Sequence, residues 1–210
     1  DILIGTQMIV KGHDFPNVTL VGVLAADLSL HISDYRAAER TFQLLTQAAG
    51  RAGRGKRPGE VVIQTYQPEH YAITAAANQD YQTFYGHEML FREMMHYPPV
   101  WNLLVIHIAS SQETLANQAA DVLQYRTAAM IRQKDPGHGG RPDGARIQVI
   151  GPADAAVAKV SDTFRKILYV KAADYQDLVW IKDGLDPELR EDALLKKVSV
   201  QFDFNPMNGF

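Results

Sequence analysis

The chain has 210 residues, of which 46% are hydrophobic and 21% charged, and its formal net charge is −3. Such values are typical of a globular protein with one large domain or two small ones. They do not match a protein that coats nucleic acid through a strongly basic surface. The absence of cysteine excludes disulfides and zinc–thiolate sites. Because the sequence has neither a signal peptide nor an apolar run of roughly eighteen residues, we expect a cytoplasmic protein without a membrane partner.

The first third of the chain has the pattern of an α/β domain. Residues 1–5 and 18–26 are apolar runs that predict strands, and the second run is continuous enough to be buried on both faces of a parallel sheet. Residues 35–49 follow as a helix, and residues 60–66 form a third strand. This order predicts that residues 1–67 are part of a nucleotide-binding lobe.

Residues 68–99 are predicted to be a helical connector. Two helices are expected within it, at 69–78 and 80–95. Tyr97 and the two prolines that follow it end the second helix, because proline cannot continue a helix and disfavours helical geometry in the residue before it.

Residues 100–210 predict a separate α+β domain. Its expected elements are strands 102–109, 146–150, 164–170 and 197–204 and helices 111–133 and 174–184. Gly151 and Pro152 are expected to break the second strand. The order β-α-β-β-α-β is that of the ferredoxin-like arrangement, with both helices on one face of a four-stranded sheet. Four side chains of the first helix are expected to face that sheet: Leu115, Ala119, Val122 and Tyr125.

The clearest chemical motif is Q-x-x-G-R-x-G-R at residues 47–54. Arginine binds phosphate oxygens in a bidentate manner and keeps its charge, and glycine lets the backbone approach a ligand closely. Two arginines that each follow a glycine can therefore stabilise the charge that develops during phosphoryl transfer. The alternative is a basic turn on the surface, formed by Arg51, Arg54, Lys56 and Arg57.

A second motif precedes it, with the sequence GTQM at residues 5–8 and KGHDFP at residues 11–16. Together the two motifs resemble the last two conserved motifs of superfamily 2 helicases. Their sequences are similar to those of the primosomal replication-restart helicases. Branched-DNA translocases such as RecG are also similar, but the GTQM and KGHDFP sequences match them less well. The resemblance covers the whole chain and is most specific over residues 1–70.

The resemblance implies an ATP-dependent 3′–5′ DNA helicase that reloads the replication machinery at stalled forks, with this chain as its C-terminal portion. In a RecA-like second lobe, Arg54 would be the arginine finger, Arg51 would face the same ATP, and Gln47 would orient the loop or sense the nucleotide. Further residues are expected at the nucleotide cleft: Gly12, Asp14, Gly50 and Gly53. Thr6 and Gln7 are expected to hydrogen-bond the backbone of single-stranded DNA.

Lys159, Arg165 and Lys166 lie where the resembled helicases are basic, so they are expected to contact DNA, with a solvated strand face as the alternative. The resemblance implies three kinds of partner, namely forked or single-stranded DNA, other primosome proteins and single-stranded DNA-binding protein. ATP and Mg²⁺ are the implied cofactors of the full-length parent, with zinc bound upstream of residue 1. No cofactor is expected to bind this chain alone, and its scattered histidines predict no metal site.

The sequence lacks a complete site for ATP hydrolysis. Its nearest match to the phosphate-binding pattern G-x-x-x-x-G-K-[ST] runs from Gly50 to Lys56, but Arg57 replaces the hydroxyl residue. The match also follows a helix and precedes a strand, the reverse of a phosphate-binding loop. We therefore expect no ATPase from the chain alone, and a non-catalytic DNA- or protein-docking module remains the alternative function.

The chain starts with Asp1 inside an apolar run, so we expect it to be part of a longer protein. The strands at 1–5 and 18–26 would then lack neighbours from the rest of the lobe. An apolar patch of that kind is rarely tolerated on a soluble monomer. We therefore expect the chain to self-associate through this lobe or to leave part of the lobe loosely ordered.

Overall fold

The structure is a computed structural model, and it describes residues 2–6, 17–53, 57–134 and 146–207. The chain divides into two compact units, 1–91 and 92–210, each with its own apolar core. None of the described helices combines the length and the hydropathy that a membrane crossing needs.

The first unit is built around two short parallel strands. β1 (Leu20–Val23) and β2 (Glu60–Ile63) pair in parallel, and α1 (Ala37–Ala49) lies in the crossover connection that such a pair requires. α2 (Tyr71–Ala77) and α3 (Tyr81–Met94) follow β2. The expected α/β character with a parallel sheet is therefore confirmed for this unit.

Two predictions for its strands are wrong. Residues 2–6 are exposed and have no regular secondary structure, although their sequence predicts a strand. β1 is covered on one face only, and Leu20 and Val62 on the other face are 60% and 51% exposed. A strand is stable only where neighbouring backbone satisfies its hydrogen bonds, and in the described part of this unit the sheet has two strands.

The covered face of this sheet packs against the helices. Val23 and Ile63 contact a cluster that includes Phe42 of α1 and Phe84 of α3. The two phenylalanine rings are stacked with their centroids 4.2 Å apart. The core of the unit therefore lies between the sheet and the helices that follow each strand.

α1 begins later than its sequence predicts, at Ala37 rather than at residue 35. Asp34 accepts the backbone N–H of Arg36 at 2.9 Å and forms an ion pair with Arg40 at 2.8 Å. Its carboxylate therefore closes the turn before the helix and also ties that turn to the helix.

Asp27 joins the carboxyl ends of β1 and β2. Its buried carboxylate accepts hydrogen bonds from the Thr65 hydroxyl and from the backbone N–H groups of Tyr66, at 2.8 Å, and Gln67, at 3.1 Å. The Thr65 hydrogen bond is the largest of the causes that lower the pKa of Asp27. This network also explains why β2 ends at Ile63 although the sequence predicts a strand to residue 66, because the chain turns there to reach the carboxylate.

The second unit is an antiparallel sheet covered by two helices. Its strands have the spatial order β4–β5–β3–β6, and every neighbouring pair is antiparallel. The elements follow along the chain as β3 (Asn102–Ser110), α4 (Glu113–Lys134), β4 (Ile147–Val160), β5 (Thr163–Ala172), α5 (Tyr175–Glu191) and β6 (Ser199–Phe204).

Both helices pack on one face of this sheet, and the buried stripe of α4 differs in part from its prediction. Ala119 is buried as predicted, Leu115 and Val122 are partly buried, and Tyr125 is 67% exposed. The buried residues of α4 are Ala116, Ala119, Ala120, Leu123 and Thr127. Tyr125 lies two residues beyond Leu123, about 200° around the helix, so it points away from the sheet.

β4 also differs from its prediction, because it continues through Gly151 and Pro152 to Val160. The register with β5 shifts between Ile150 and Ala153, so a β-bulge absorbs the two residues that were expected to end the strand. Gly151 has φ +109°, a conformation that glycine adopts without strain.

The other face of the sheet is covered at one end by residues 95–101. Lys171 of β5 is buried there, and its ammonium donates to the Met95 carbonyl at 2.7 Å and lies 3.7 Å from the centroid of the Tyr97 ring. His96 stacks on Trp101 with ring centroids 4.0 Å apart. Residues that precede β3 in the chain thus become part of the second unit.

Candidate functional site

The arginine motif lies at the carboxyl end of α1. Gln47 is exposed on the last turn, Gly50 follows the helix, and Arg51 is half-buried. α1 is held in place by the buried side chains of Phe42 and Leu45, so this end of the helix is anchored to the core of the unit.

Two glycines fold the loop after α1 back on itself. Gly53 has φ +74°, and its N–H donates to the carbonyl of Val18 at 3.0 Å. A Cβ atom at Gly59 would lie 2.2 Å from the nitrogen of Gly53, closer than real Cβ contacts occur. Only glycine at residue 59 therefore permits this approach, which brings Gly53 of the arginine loop against the residue before β2.

Replacing Gly59 with alanine should push the two halves of this loop apart. We expect the free energy of unfolding of the first unit to fall by about 1–3 kcal/mol, as is typical of an added methyl that the packing cannot accommodate. The Gly53 amide should lose its bond to Val18, which faster amide hydrogen exchange at residue 53 would reveal.

Gly22→Ala is the matched control, because it adds the same methyl group to β1 where nothing lies within 4 Å of the new atom. Unfolding and amide exchange should change little in that variant. Equal stability of Gly59→Ala and Gly22→Ala would contradict the close approach of Gly53 and Gly59.

The backbone amides of this loop are already used within the chain. The N–H of Gly50 donates to Thr46, those of Arg51 and Ala52 to Ala48 and Ala49, and that of Gly53 to Val18, at distances of 3.0–3.2 Å. A phosphate-binding loop instead points several free N–H groups at its ligand. The described residues 50–53 therefore do not form the phosphate cradle that the spacing from Gly50 to Lys56 partly matches.

The other predicted residues of the first unit are only partly described. Thr6 is exposed in a segment without regular structure, and Arg57, beside the motif, is exposed as well. Four predicted site residues lie outside the described residues: Gln7, Gly12, Asp14 and Arg54.

The three predicted DNA contacts of the second unit have different surroundings. Lys159 pairs with Asp162 at 3.0 Å and lies 4.9 Å from the ring centroid of Phe164. Lys166 pairs with Asp154 at 2.7 Å. For Arg165, the structure records no hydrogen bond or ion pair of the side chain within the described ranges. Of the three, the two lysines each have an ion-pair partner, and Arg165 has none recorded in the described ranges.

The sequence did not single out three residues that the structure makes prominent, Asp27, His107 and Lys171. Asp27 follows an apolar run at the end of a strand, which is a usable signal for a carboxylate that joins strand ends. His107 and Lys171 carry no such signal, because the residues around them are distant in the sequence. Within the ranges that the structure describes, no group of three or more histidine, aspartate or glutamate side chains is arranged to hold a metal ion.

The chain is similar to proteins named replication restart protein PriA, although no family model matches it. It is 40% identical over 206 residues to the Bacillus subtilis protein, 36% over 208 residues to that of Synechocystis and 54% over 211 residues to that of Chlamydia muridarum. These matches cover 98–100% of this chain and 23–26% of the relatives. The chain thus spans about a quarter of the length of these curated relatives.

Proposed function

We propose that this chain, which belongs to the PriA family of replication restart proteins, is the C-terminal portion of an ATP-dependent superfamily 2 DNA helicase. The full-length parent would unwind DNA in the 3′–5′ direction and reload the replication machinery at stalled forks. The first unit would be part of a RecA-like second lobe, and the second unit a ferredoxin-like domain. The strand order β4–β5–β3–β6, with both helices on one face, supports the second assignment.

One contact carries the proposal, the hydrogen bond from the Gly53 N–H to the Val18 carbonyl. It joins the loop of the second helicase-like motif to the segment that directly follows the first. Motifs that serve one nucleotide site have to lie at the same edge of the lobe, and this bond ties Gly53, within the second motif, to Val18, which comes two residues after the first motif in the sequence.

The arginine residues would act on ATP that the other lobe holds. ATP supplies the phosphoryl group whose transfer drives movement along DNA, and Mg²⁺ would accompany it. The Arg54 and Arg51 guanidinium groups would donate to phosphate oxygens and offset their negative charge. Gln47, exposed on the last turn of α1, is suited to orient the same loop.

The chain is suited to complete such a site but not to form it alone. The N–H groups of residues 50–53 are already used, and no second phosphate-binding pattern occurs in the sequence. Thr6, Gln7 and the basic side chains of the second unit would contribute contacts to the DNA backbone, with primosome proteins and single-stranded DNA-binding protein as further partners.

The test compares the chain with its full-length parent in the same assays. We expect the parent to hydrolyse ATP in a DNA-stimulated manner and to unwind a fork, and the 210-residue chain alone to show no turnover. A parent without DNA-stimulated turnover would contradict the proposed helicase. ATPase of the purified chain that disappears in Arg51→Ala would contradict the proposed division of the site.

A further inference from the structure

The second unit has an edge strand with one unpaired side. In the order β4–β5–β3–β6, β6 pairs with β3, and no other segment in the described ranges pairs with it. The edge of a sheet presents a row of backbone N–H and C=O groups that can pair with another chain. β6 is therefore a candidate docking surface, and the proposed function does not use it.

The two edges of this sheet are built differently. β4, at the opposite edge, contains Pro152, and its register with β5 shifts at two places. Proline and bulges protect an edge strand from pairing with other chains. β6 pairs with β3 without a register shift and has no proline between residues 199 and 204. The regular edge is therefore the one suited to accept another strand.

One hydrogen bond shows which residues of β6 face its unpaired side. The N–H of Asn205 donates to the carbonyl of Leu103 at 2.7 Å, in the register of the ladder between β3 and β6. Successive residues of an antiparallel strand direct their backbone groups alternately to one side and to the other. The odd-numbered residues of β6 therefore bond to β3. The even-numbered residues direct their N–H and C=O groups to the unpaired side: Val200, Phe202 and Phe204.

The same three residues carry the apolar side chains of β6, and they are partly buried against the helix-covered core. The ring of Phe204 lies 5.5 Å from the ring of Tyr175 at the start of α5, and Tyr175 is 41% exposed. The residues between them are exposed: Ser199, Gln201 and Asp203. A strand added at this edge would thus extend the apolar core on one face and meet polar side chains on the other.

A second β6 fits this edge in antiparallel orientation, with a twofold axis at Phe202. Phe202 would lie opposite the same residue of the second copy, and Val200 would lie opposite Phe204. Each unpaired N–H and C=O group of the strand would then find a partner, in about six hydrogen bonds. On the exposed face Gln201 would lie opposite Asp203 twice, so an amide donor meets a carboxylate acceptor at both places.

Neighbouring registers fit this edge less well. An axis at Gln201 would require the N–H of Val198, which already donates within the turn before β6. An axis at Asp203 would place two carboxylates opposite each other and would pair Val200 with Pro206, which has no N–H. The first register is thus the one that uses unpaired groups alone and keeps like charges apart.

We propose that β6 binds β6 of a second copy of this chain, so that the two four-stranded sheets join into one continuous antiparallel sheet. The contact is isologous, because the same strand serves on both sides. It is distinct from the apolar surface of the first unit around Leu20, through which self-association is also expected. β6 has 6 residues, so the contact is smaller than a standard interface. We expect a dissociation constant on the order of 10 μM.

The first test changes one charge at the proposed contact and measures the dissociation constant of the 210-residue chain by sedimentation equilibrium. Gln201→Glu would place a second carboxylate opposite Asp203 at both places, so the dissociation constant should rise about tenfold. Gln201→Glu combined with Asp203→Lys would place opposite charges there and should restore the dimer. Gln118→Glu is the matched control, because it makes the same change at an exposed residue of α4 and should leave the dimer unchanged.

The second test uses the absence of cysteine from the chain. An equimolar mixture of Gln201→Cys and Asp203→Cys should form a disulfide-linked dimer under mild oxidation, since the two positions lie directly opposite each other. Either variant alone should not be linked, because identical positions would be diagonal neighbours about 7–8 Å apart, beyond the reach of a disulfide.

Three results would overturn the proposal. The first is a chain that stays monomeric at about ten times the expected dissociation constant. The second is a dimer that is unchanged in Gln201→Glu but lost in Leu20→Gln, because it would associate through the first unit. The third is a disulfide that links Gln201→Cys to itself as readily as to Asp203→Cys, because the twofold axis would then lie elsewhere.

Discussion

Arg54→Ala in the full-length parent should lower DNA-stimulated ATP turnover by about 10³-fold or more, the scale of a lost arginine finger. The arginine contributes most where charge develops on the phosphate during transfer, so turnover should fall while DNA affinity changes little. Gly53, the residue before Arg54 in the sequence, donates its N–H to the carbonyl of Val18 at 3.0 Å. Steady-state turnover with saturating DNA measures the effect.

Arg57→Ala is the matched control for this variant. Arg57 belongs to the same basic stretch, is exposed and lies outside the glycine–arginine motif. A contribution from general positive charge would make the two variants equal, whereas a finger makes Arg54 essential and Arg57 dispensable. Unchanged turnover in Arg54→Ala, or an equal loss in Arg57→Ala, would refute the assignment.

Local signals predicted much of the fold. The crossover helix between two parallel strands followed from the apolar runs and from the helical spacing of Phe42 and Leu45. The clean alternation within the predicted strand 197–204 indicated β6, and its partly buried side chains, Val200, Phe202 and Phe204, contact the helix-covered core. Where a residue's environment is set by its nearest neighbours in sequence, the pattern was sufficient.

The misses share a physical cause, which is dependence on distant residues. Residues 2–6 have the composition of a strand, but no described neighbour supplies hydrogen bonds to their backbone. Tyr125 was placed by its spacing alone, and the small side chains of Ala116, Ala119 and Ala120 determine which side of α4 lies against the sheet. Leu20 is 60% exposed, which is consistent with the predicted apolar surface on the first unit. Self-association of the chain through that surface stays a prediction.

The sequence predicted the motifs of the candidate site but not the contacts between distant residues that shape it. The sequence identified Gly50, Arg51 and Gly53 from their spacing. It did not show that Gly59 must be glycine, because the atom that forbids a side chain there belongs to Gly53, on the other half of the loop. The ion pair of Lys166 with Asp154 likewise depends on how β4 and β5 are paired.

Lys171 leads to the second large effect, a rise in the stability of the second unit at alkaline pH. Burial lowers the pKa of its ammonium from the ordinary 10.5 to about 8. Between these values the unfolded chain keeps the proton while the folded unit releases it, so the free energy of unfolding increases with pH. Each pH unit contributes about 1.4 kcal/mol, so the gain from pH 8 to 10.5 is about 3 kcal/mol, and it is lost again as the pH falls to 8.

Lys171→Met should abolish that rise, since methionine fills similar space and has no proton to release. Denaturant unfolding followed by tryptophan fluorescence measures this unit selectively, because Trp101 and Trp180 both lie in residues 92–210. Lys196→Met, at an exposed lysine, should keep the full rise. If the wild type and Lys171→Met gain equally between pH 8 and 10.5, the ammonium is not confined beneath residues 95–101. A gain seen only in the wild type and Lys196→Met would show that the Lys171 ammonium is buried beneath residues 95–101.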